Sequence, residues 1–264
     1  VRISEAEELR RLVPVLKRLR GKISIPISVD TYKAAVAEKA LEHGADIIND
    51  PSGLTFDPEL ARVISNANAG VILCHMRGTP DTWAKLAPLK NLMPTLVAEL
   101  DAAVHRAVHT GLDRKRVVID PGLGFGKRKE QNAEVIAFLD TLARMELPIM
   151  VGASRKHFLA KEDATHTEFA TAAAVTASIL KGAHLVRVHD VAAMKAAVEV
   201  ADEILRASAA IASDTEDKNE SRVVRPGFSG QPRDTERTPR PLDRRPGVRP
   251  GTSPSGPPRP RNPR

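Results

Sequence analysis

Cysteine is almost missing from this sequence. The single residue, Cys74, cannot form an intramolecular disulfide, so no disulfide framework and no oxidising compartment is indicated. Long hydrophobic runs are missing too. None approaches the roughly 20 apolar residues a transmembrane helix needs. The opening residues, VRISEAEELRR, carry no apolar stretch after the basic residue and do not read as a signal peptide. A soluble, cytoplasmic protein is the expectation, with no membrane partner.

Apolar residues also run out towards the C-terminus. From Ser213 onward the chain is dominated by Pro, Arg, Gly, Ser, Thr and Asp. Such a composition cannot bury enough surface to offset the entropy of ordering the chain. Residues 213–264 hold 12 of the 40 Lys and Arg and 7 of the 33 Asp and Glu, so +5 of the net charge of +7 lies there. The remainder is close to neutral. The high pI therefore says little about a partner of the folded part, and no specific nucleic acid is expected. The expected division is a globular domain over 1–210 and a disordered Pro/Arg-rich tail over 211–264.

Within the globular part, helical and strand patterns alternate. A helix opens the chain, with Ser4 and Glu7 resembling a capping box. Apolar strand-like runs then occur at 23–30, 45–50, 70–78, 117–120, 148–156 and 183–190, each followed by a helical pattern. This order predicts an α/β fold with a parallel sheet.

The stretch 117–127, VVIDPGLGFGK, shows the design most clearly. Three β-branched residues lead into Asp120, a proline stops the strand, and a glycine-rich turn ends in Lys127. The strand's carboxyl end is where ligands bind in parallel α/β folds. The other runs also end in polar residues: Asp30, Asn49, His75 with Arg77, Lys156, and Arg187 with His189. Parallel strands place all of them at one rim, as a small-molecule site with acidic and anion-binding character. A phosphate P-loop is disfavoured, because GLGFGK has neither the four-residue gap between glycines nor the Ser/Thr after the lysine. Cys74 reads as a small buried apolar residue, Trp83 as a loop anchor, and His75 and Arg77 as braces for the following loop. His105 and His109 sit four apart on a helix, but no further zinc ligand lies nearby.

Six short motifs together carry a resemblance. SVDTYK (28–33), DIIND (46–50), HMRGTP (75–80), DPGLGFGK (120–127), GASRK (152–156) and RVHDV (187–191) resemble, in order and spacing, the successive motifs of the dihydropteroate synthase family. The resemblance covers about residues 1–206. It implies a TIM (β/α)8 barrel, which this chain enters after two βα units; the expected fold is thus a barrel N-terminally truncated to about six βα units, with a disordered C-terminal tail.

The resemblance also implies an activity and a site. The family condenses 6-hydroxymethyl-7,8-dihydropterin diphosphate with p-aminobenzoate, releasing pyrophosphate, in folate biosynthesis. Carried over by motif, Asp30, Asn49, Asp120 and Lys156 hold the pterin, with Asp30 and Lys156 nearest the chemistry. Phe125 and Gly152 line the pterin slot, and Arg187 and His189 bind the pyrophosphate. Mg2+ is the implied cofactor, but the family's Asn ligand to it would lie before residue 1, and no metal ligand is assigned here. A homodimer through the late helices is implied. His157 stands where a serine often meets p-aminobenzoate, and Pro51 and Cys74 replace apolar residues of the slot. Two other readings stay open: a catalytically inactive pterin-binding remnant, and a pterin-dependent methyltransferase on the same fold. The Arg187-Val-His189 pair favours the synthase, because a methyl donor has no pyrophosphate to expel.

Overall fold

The computed structural model describes residues 3–222, with side chains as far as 211. Of the tail expected to be disordered over 211–264, residues 223–264 lie outside the described residues, while 211–222 continue the last helix. Among the described residues, seven α-helices and six strands alternate: α1 (Glu5–Leu19), β1 (Ser28–Asp30), α2 (Ala34–Glu42), β2 (Ile47–Asp50), α3 (Leu60–Asn66), β3 (Gly70–Cys74), α4 (Leu92–His109), β4 (Val117–Asp120), α5 (Lys129–Ala137), β5 (Met150–Val151), α6 (Ala164–Leu180), β6 (Leu185–Val186) and α7 (Val191–Arg222). No described helix is long and apolar enough to cross a membrane.

The strands pair in parallel in sequence order, β1-β2-β3-β4 in one sheet and β5-β6 in a second. A single bridge, Ile119 with Ile149, joins the two. Helices follow every strand, as right-handed crossovers between parallel neighbours require. The arrangement is that of a TIM-barrel-like α/β fold.

Burial explains the strand sequences. Ile48, Val71, Leu73 and Ile119 have no exposed surface. Parallel strands covered on both faces read as continuous rather than alternating apolar runs. Helices contribute their apolar stripes: Val36, Ala37 and Ala40 from α2, and Leu96, Leu100, Val104 and Ala107 from α4, are all buried.

Several runs form shorter strands than their composition suggests. The first predicted strand, 23–30, is a ladder only at Ser28–Asp30. Pro26 has no N–H to donate, and Ile23 and Ile25 face solvent. The helical pattern after β4 divides into α5 and a 3₁₀ segment, Leu139–Met145, which ends at Glu146 in the left-handed region. Helix α4 begins at Leu92, two residues before Pro94. Pro94 is tolerated there because N–H groups of a first helical turn have no intrahelical partner.

Helix α1 is tied to the strand layer by charge. Ser4 caps it, accepting from the Glu7 N–H at 3.3 Å. Glu8 then pairs with Lys33, and accepts from the Thr31 hydroxyl at 2.7 Å. The Lys33 amine also donates to the Ile3 carbonyl at 2.7 Å. These contacts fasten the chain's first helix next to the tip of β1.

Candidate active site

Strand register places the rim residues. Asp30 pairs with Asn49 across β1 and β2. Cys74 pairs with Asp120 across β3 and β4. Beyond β5 come Gly152, Ser154 and Lys156, and beyond β6 come Arg187 and His189. Apart from His75 and Arg77, the polar ends predicted from sequence share one rim.

Side chains link these positions into one cluster. The Asn49 amide donates to Asp30 Oδ1. Arg187 spans the space between two acids, its Nη1 lying 3.9 Å from Asp30 Oδ2 and its Nη2 3.8 Å from Asp120 Oδ2. Gly122 N–H donates to Asp120 Oδ1 at 2.8 Å. Three polar atoms of this cluster are buried without a hydrogen-bond partner: Asn49 Oδ1, Asp120 Oδ2 and Arg187 Nε. Buried polar atoms cost on the order of 1–3 kcal/mol when left unsatisfied. A ligand that supplies donors to the two oxygens and an acceptor to Arg187 relieves that cost.

Electrostatics sharpens the roles. Burial raises the Asp120 carboxyl above the ordinary 3.8; the Gly122 N–H and the Arg187, Lys127 and Lys156 cations oppose the rise. Burial also lowers the Lys156 amine, helped by the nearby Arg187 cation. That amine sits 4.2 Å from the centroid of the Phe125 ring, a cation–π contact. Phe125 in turn stands edge-on to Trp83, with ring centroids 5.3 Å apart. His189 is held through Ser154, whose hydroxyl lies 2.9 Å from Nδ1 and also accepts the His189 N–H at 3.2 Å.

Glycines make room for this packing. A methyl group on Gly152 would lie 2.9 Å from Arg187 Nη2. One on Gly122 would lie 1.9 Å from the His75 carbonyl oxygen, and Gly122 has a φ of +67°. Only glycine satisfies both demands at position 122.

Beside the cluster opens a cavity of about 880 Å³, shared through Asp30 and Phe125 and walled mainly by Tyr32, Phe56, Met76 and Trp83. Sequence reasoning did not single out Tyr32 or Phe56. They meet edge-on at 5.2 Å, and no strand-end signal marks either. Ser154 was visible only as one of several polar residues after β5, and its hold on His189 is a tertiary fact. A further cavity, about 650 Å³, lies at the opposite ends of the strands among Glu38, Arg62 and Arg116. It shares no residue with the rim.

Other expectations resolve directly. Arg77 braces the loop, donating to the Ala87 and Gly126 carbonyls at 3.0 and 3.1 Å. His75 turns away from the rim towards Glu99 and Lys127. Cys74 is buried, and burial raises its thiol well above the ordinary range, which leaves it unreactive. His157 is exposed, in a short 3₁₀ turn. Among the described residues, no three His, Cys, Asp or Glu side chains gather as a metal cage.

Two acids, a carboxamide, a lysine and an arginine at one rim of a parallel α/β fold, beside an aromatic-walled cavity, define an enzyme site of small-molecule size. The model of the pterin binding enzyme family matches residues 1–189, and the chain belongs to that family. It is 40% identical over 208 residues to the dihydropteroate synthase of Synechocystis, covering 77% of this chain and 72% of that one. Among solved structures, a dihydropteroate synthase from Clostridium difficile, determined with pteroic acid, matches with a TM-score of 0.72 at 36% identity, over 77% of this chain and 76% of that one. The enzyme of Xanthomonas albilineans with 4-aminobenzoic acid matches with a TM-score of 0.72 at 32% identity, over 78% and 74%.

Proposed function

We propose that this protein is a dihydropteroate synthase, joining 6-hydroxymethyl-7,8-dihydropterin diphosphate to p-aminobenzoate. The observation that carries the reading is the linked set of buried atoms without a hydrogen-bond partner, Asn49 Oδ1, Asp120 Oδ2 and Arg187 Nε. A pterin offers adjacent N–H donors on its 2-amino-4-oxo edge, and these suit the Asp120 carboxylate and the Asn49 carbonyl. The diphosphate is an acceptor for Arg187.

Each residue then has a role. Asp120 and Asn49 fix the pterin's amino edge. Lys156 donates to the O4/N5 side, and Phe125 and Gly152 form the slot's walls. Asp30, on the reacting side, favours positive charge as it develops on the pterin methylene. Arg187 and His189 take the leaving diphosphate, with Ser154 holding His189 in place. The methylene C–O bond breaks and pyrophosphate departs with the electron pair. The arylamine nitrogen then forms the new C–N bond and releases a proton. Mg2+, when bound, would screen the charge of the diphosphate.

The six βα units correspond, in this reading, to the third to eighth units of the family barrel. The apolar residues exposed on α6 and α7, among them Phe169, Val200 and Ile204, suit a homodimer through these late helices. Light scattering on the purified chain reads that directly. The activity is tested by mixing the chain with pterin diphosphate and p-aminobenzoate and following dihydropteroate and pyrophosphate. Equal amounts of both products support the synthase. Pterin binding without turnover supports the inactive-remnant reading instead, and absence of both sinks the assignment.

A further inference from the structure

Directly behind the rim lies a string of titratable groups that the proposed reaction does not use. Glu99 on α4 has a half-exposed side chain, at 53%, whereas the His75 side chain is 2% exposed. Their contact, His75 Nε2 to Glu99 Oε2, is 2.7 Å. On the other side of the ring, Nδ1 lies 2.8 Å from the Lys127 amine. That amine also donates to the Gly122 carbonyl at 2.8 Å and to the His75 carbonyl at 3.3 Å.

The geometry fixes the protons. An ammonium has three N–H donors and no acceptor. Lys127 meets three acceptors: an imidazole nitrogen and two carbonyls. Nδ1 must accept, so His75 is neutral and carries its proton on Nε2, which donates to the Glu99 carboxylate. Charging the imidazole as well would set two N–H groups against each other at 2.8 Å. The string thus reads carboxylate, neutral imidazole, ammonium, from solvent to core.

Its inner end grips the glycine loop. The Gly122 carbonyl is held by Lys127, the Gly122 N–H holds Asp120 Oδ1, and the Gly122 Cα packs against the His75 carbonyl. Asn132 reinforces the same loop, accepting the Gly124 N–H at 2.7 Å. We infer that Glu99, His75 and Lys127 form a strut from the surface to this loop, whose proton occupancy sets how firmly residues 121–126 present Asp120 and Phe125 to the pterin. None of the three touches the ligand; they are positioning residues. The inference deepens the pterin reading, and rests on it only for its ligand-binding readout.

The charges facing the strut come from every element around it. Cys74 and Asp120 flank Lys127 from β3 and β4, Arg77 faces it from the loop after β3, and Glu99 from α4. Burial dominates and lowers the Lys127 amine to about 8. Burial likewise lowers the His75 imidazole, consistent with its neutral form. As pH rises through about 8, the ammonium becomes an amine with two N–H groups, which no longer serves all three acceptors, and its hold on the Gly122 carbonyl loses the assistance of charge. Global stability responds in the opposite sense. An unfolded lysine holds its proton up to about 10.5, so between about 8 and 10.5 the unfolded state binds more protons, and this group's contribution to stability rises with pH. Looser loop and more favourable global term, over the same window, form a signature that a purely structural contact does not give.

Glu99→Gln is the informative variant, because it lies at the surface and keeps an oxygen for the His75 N–H while removing the charge. Hydrogen exchange of peptides covering 121–127, corrected for intrinsic rates from pH 6 to 10, is measured in the full-length chain and in E99Q. The expected result is a several-fold loss of loop protection centred near pH 8 in the parent, moved on the order of half a pH unit lower in E99Q. Binding of 6-hydroxymethylpterin is titrated alongside and should weaken over the same step. Lys156 also has a lowered amine, but its charged neighbours are Arg187, Asp120, Cys74 and Asp30, so a step due to Lys156 stays in place in E99Q. An unmoved step, or no step in the parent, overturns the strut. A loop step that moves in a chain that binds no pterin keeps the strut and overturns the pterin reading.

Discussion

Arg187 crosses directly over Gly152, so closely that a methyl group there would stand 2.9 Å from its Nη2. The arginine's bridging position between Asp30 and Asp120 depends on a missing side chain just beyond β5. Gly152→Ala therefore displaces the guanidinium while leaving the core intact. A shift of about 1 Å at a positioning group can cost on the order of 100-fold in rate. We expect a fall of roughly that size in kcat/KM for the pterin diphosphate, with little change in Tm. Steady-state kinetics with thermal melts on the same samples checks it; unchanged kinetics would place Arg187 outside the chemistry.

Asp120→Asn separates binding from stability. The carboxylate is fully buried and one oxygen lacks a partner. Removing its charge leaves the fold at least as stable, because an under-satisfied buried carboxylate is itself a cost. Hydrogen bonds to a charged group are worth about 1.5–3 kcal/mol. Pterin affinity is therefore expected to drop by about 10- to 100-fold, read by calorimetric titration.

The same carboxyl sets an acid limb. Burial raises it above 3.8, so between 3.8 and its raised value the folded state binds more protons than the unfolded one. This group's contribution to stability falls as pH rises through that window. Pterin binding moves the other way, since it needs the ionised form and weakens as pH falls through the raised value. Titrations between pH 4 and 7 should show this limb in the parent and lack it in Asp120→Asn.

Glu8→Ala tests the fastening of α1. Glu8 pairs with Lys33 and accepts from Thr31 while largely shielded from solvent. Its loss leaves a part-buried ammonium without a carboxylate, and we expect a loss of about 1–3 kcal/mol. Urea unfolding reads the change as a lower midpoint at unchanged slope.

What the sequence disclosed follows from what is local. Asp120 was legible because a β-branched run, an acid and a proline mark a strand end within a few residues. Asn49, Lys156 and Arg187 were legible by the same rule repeated, and the resemblance supplied their roles. Strand lengths were not legible, because an apolar run such as 23–30 contains Pro26, and only pairing decides where a ladder stops. Nor were Ser154 under His189, or Glu99 under His75, since these contacts join residues 35 and 24 positions apart. Contacts of that kind leave no periodic trace. His75 itself looked like a rim residue, and its outward turn is decided by the buried Lys127.

The two sheets meet at one bridge, Ile119 with Ile149. Asp30, Asn49 and Asp120 lie on the first side of that joint; Lys156 and Arg187 lie on the second. A pterin held by both sets is therefore a clasp across the joint between the two sheets. Its binding should slow amide exchange at residues 149–151 and 185–187 as well as in the loops it touches, so that occupancy of the site is felt as cohesion of the whole wall.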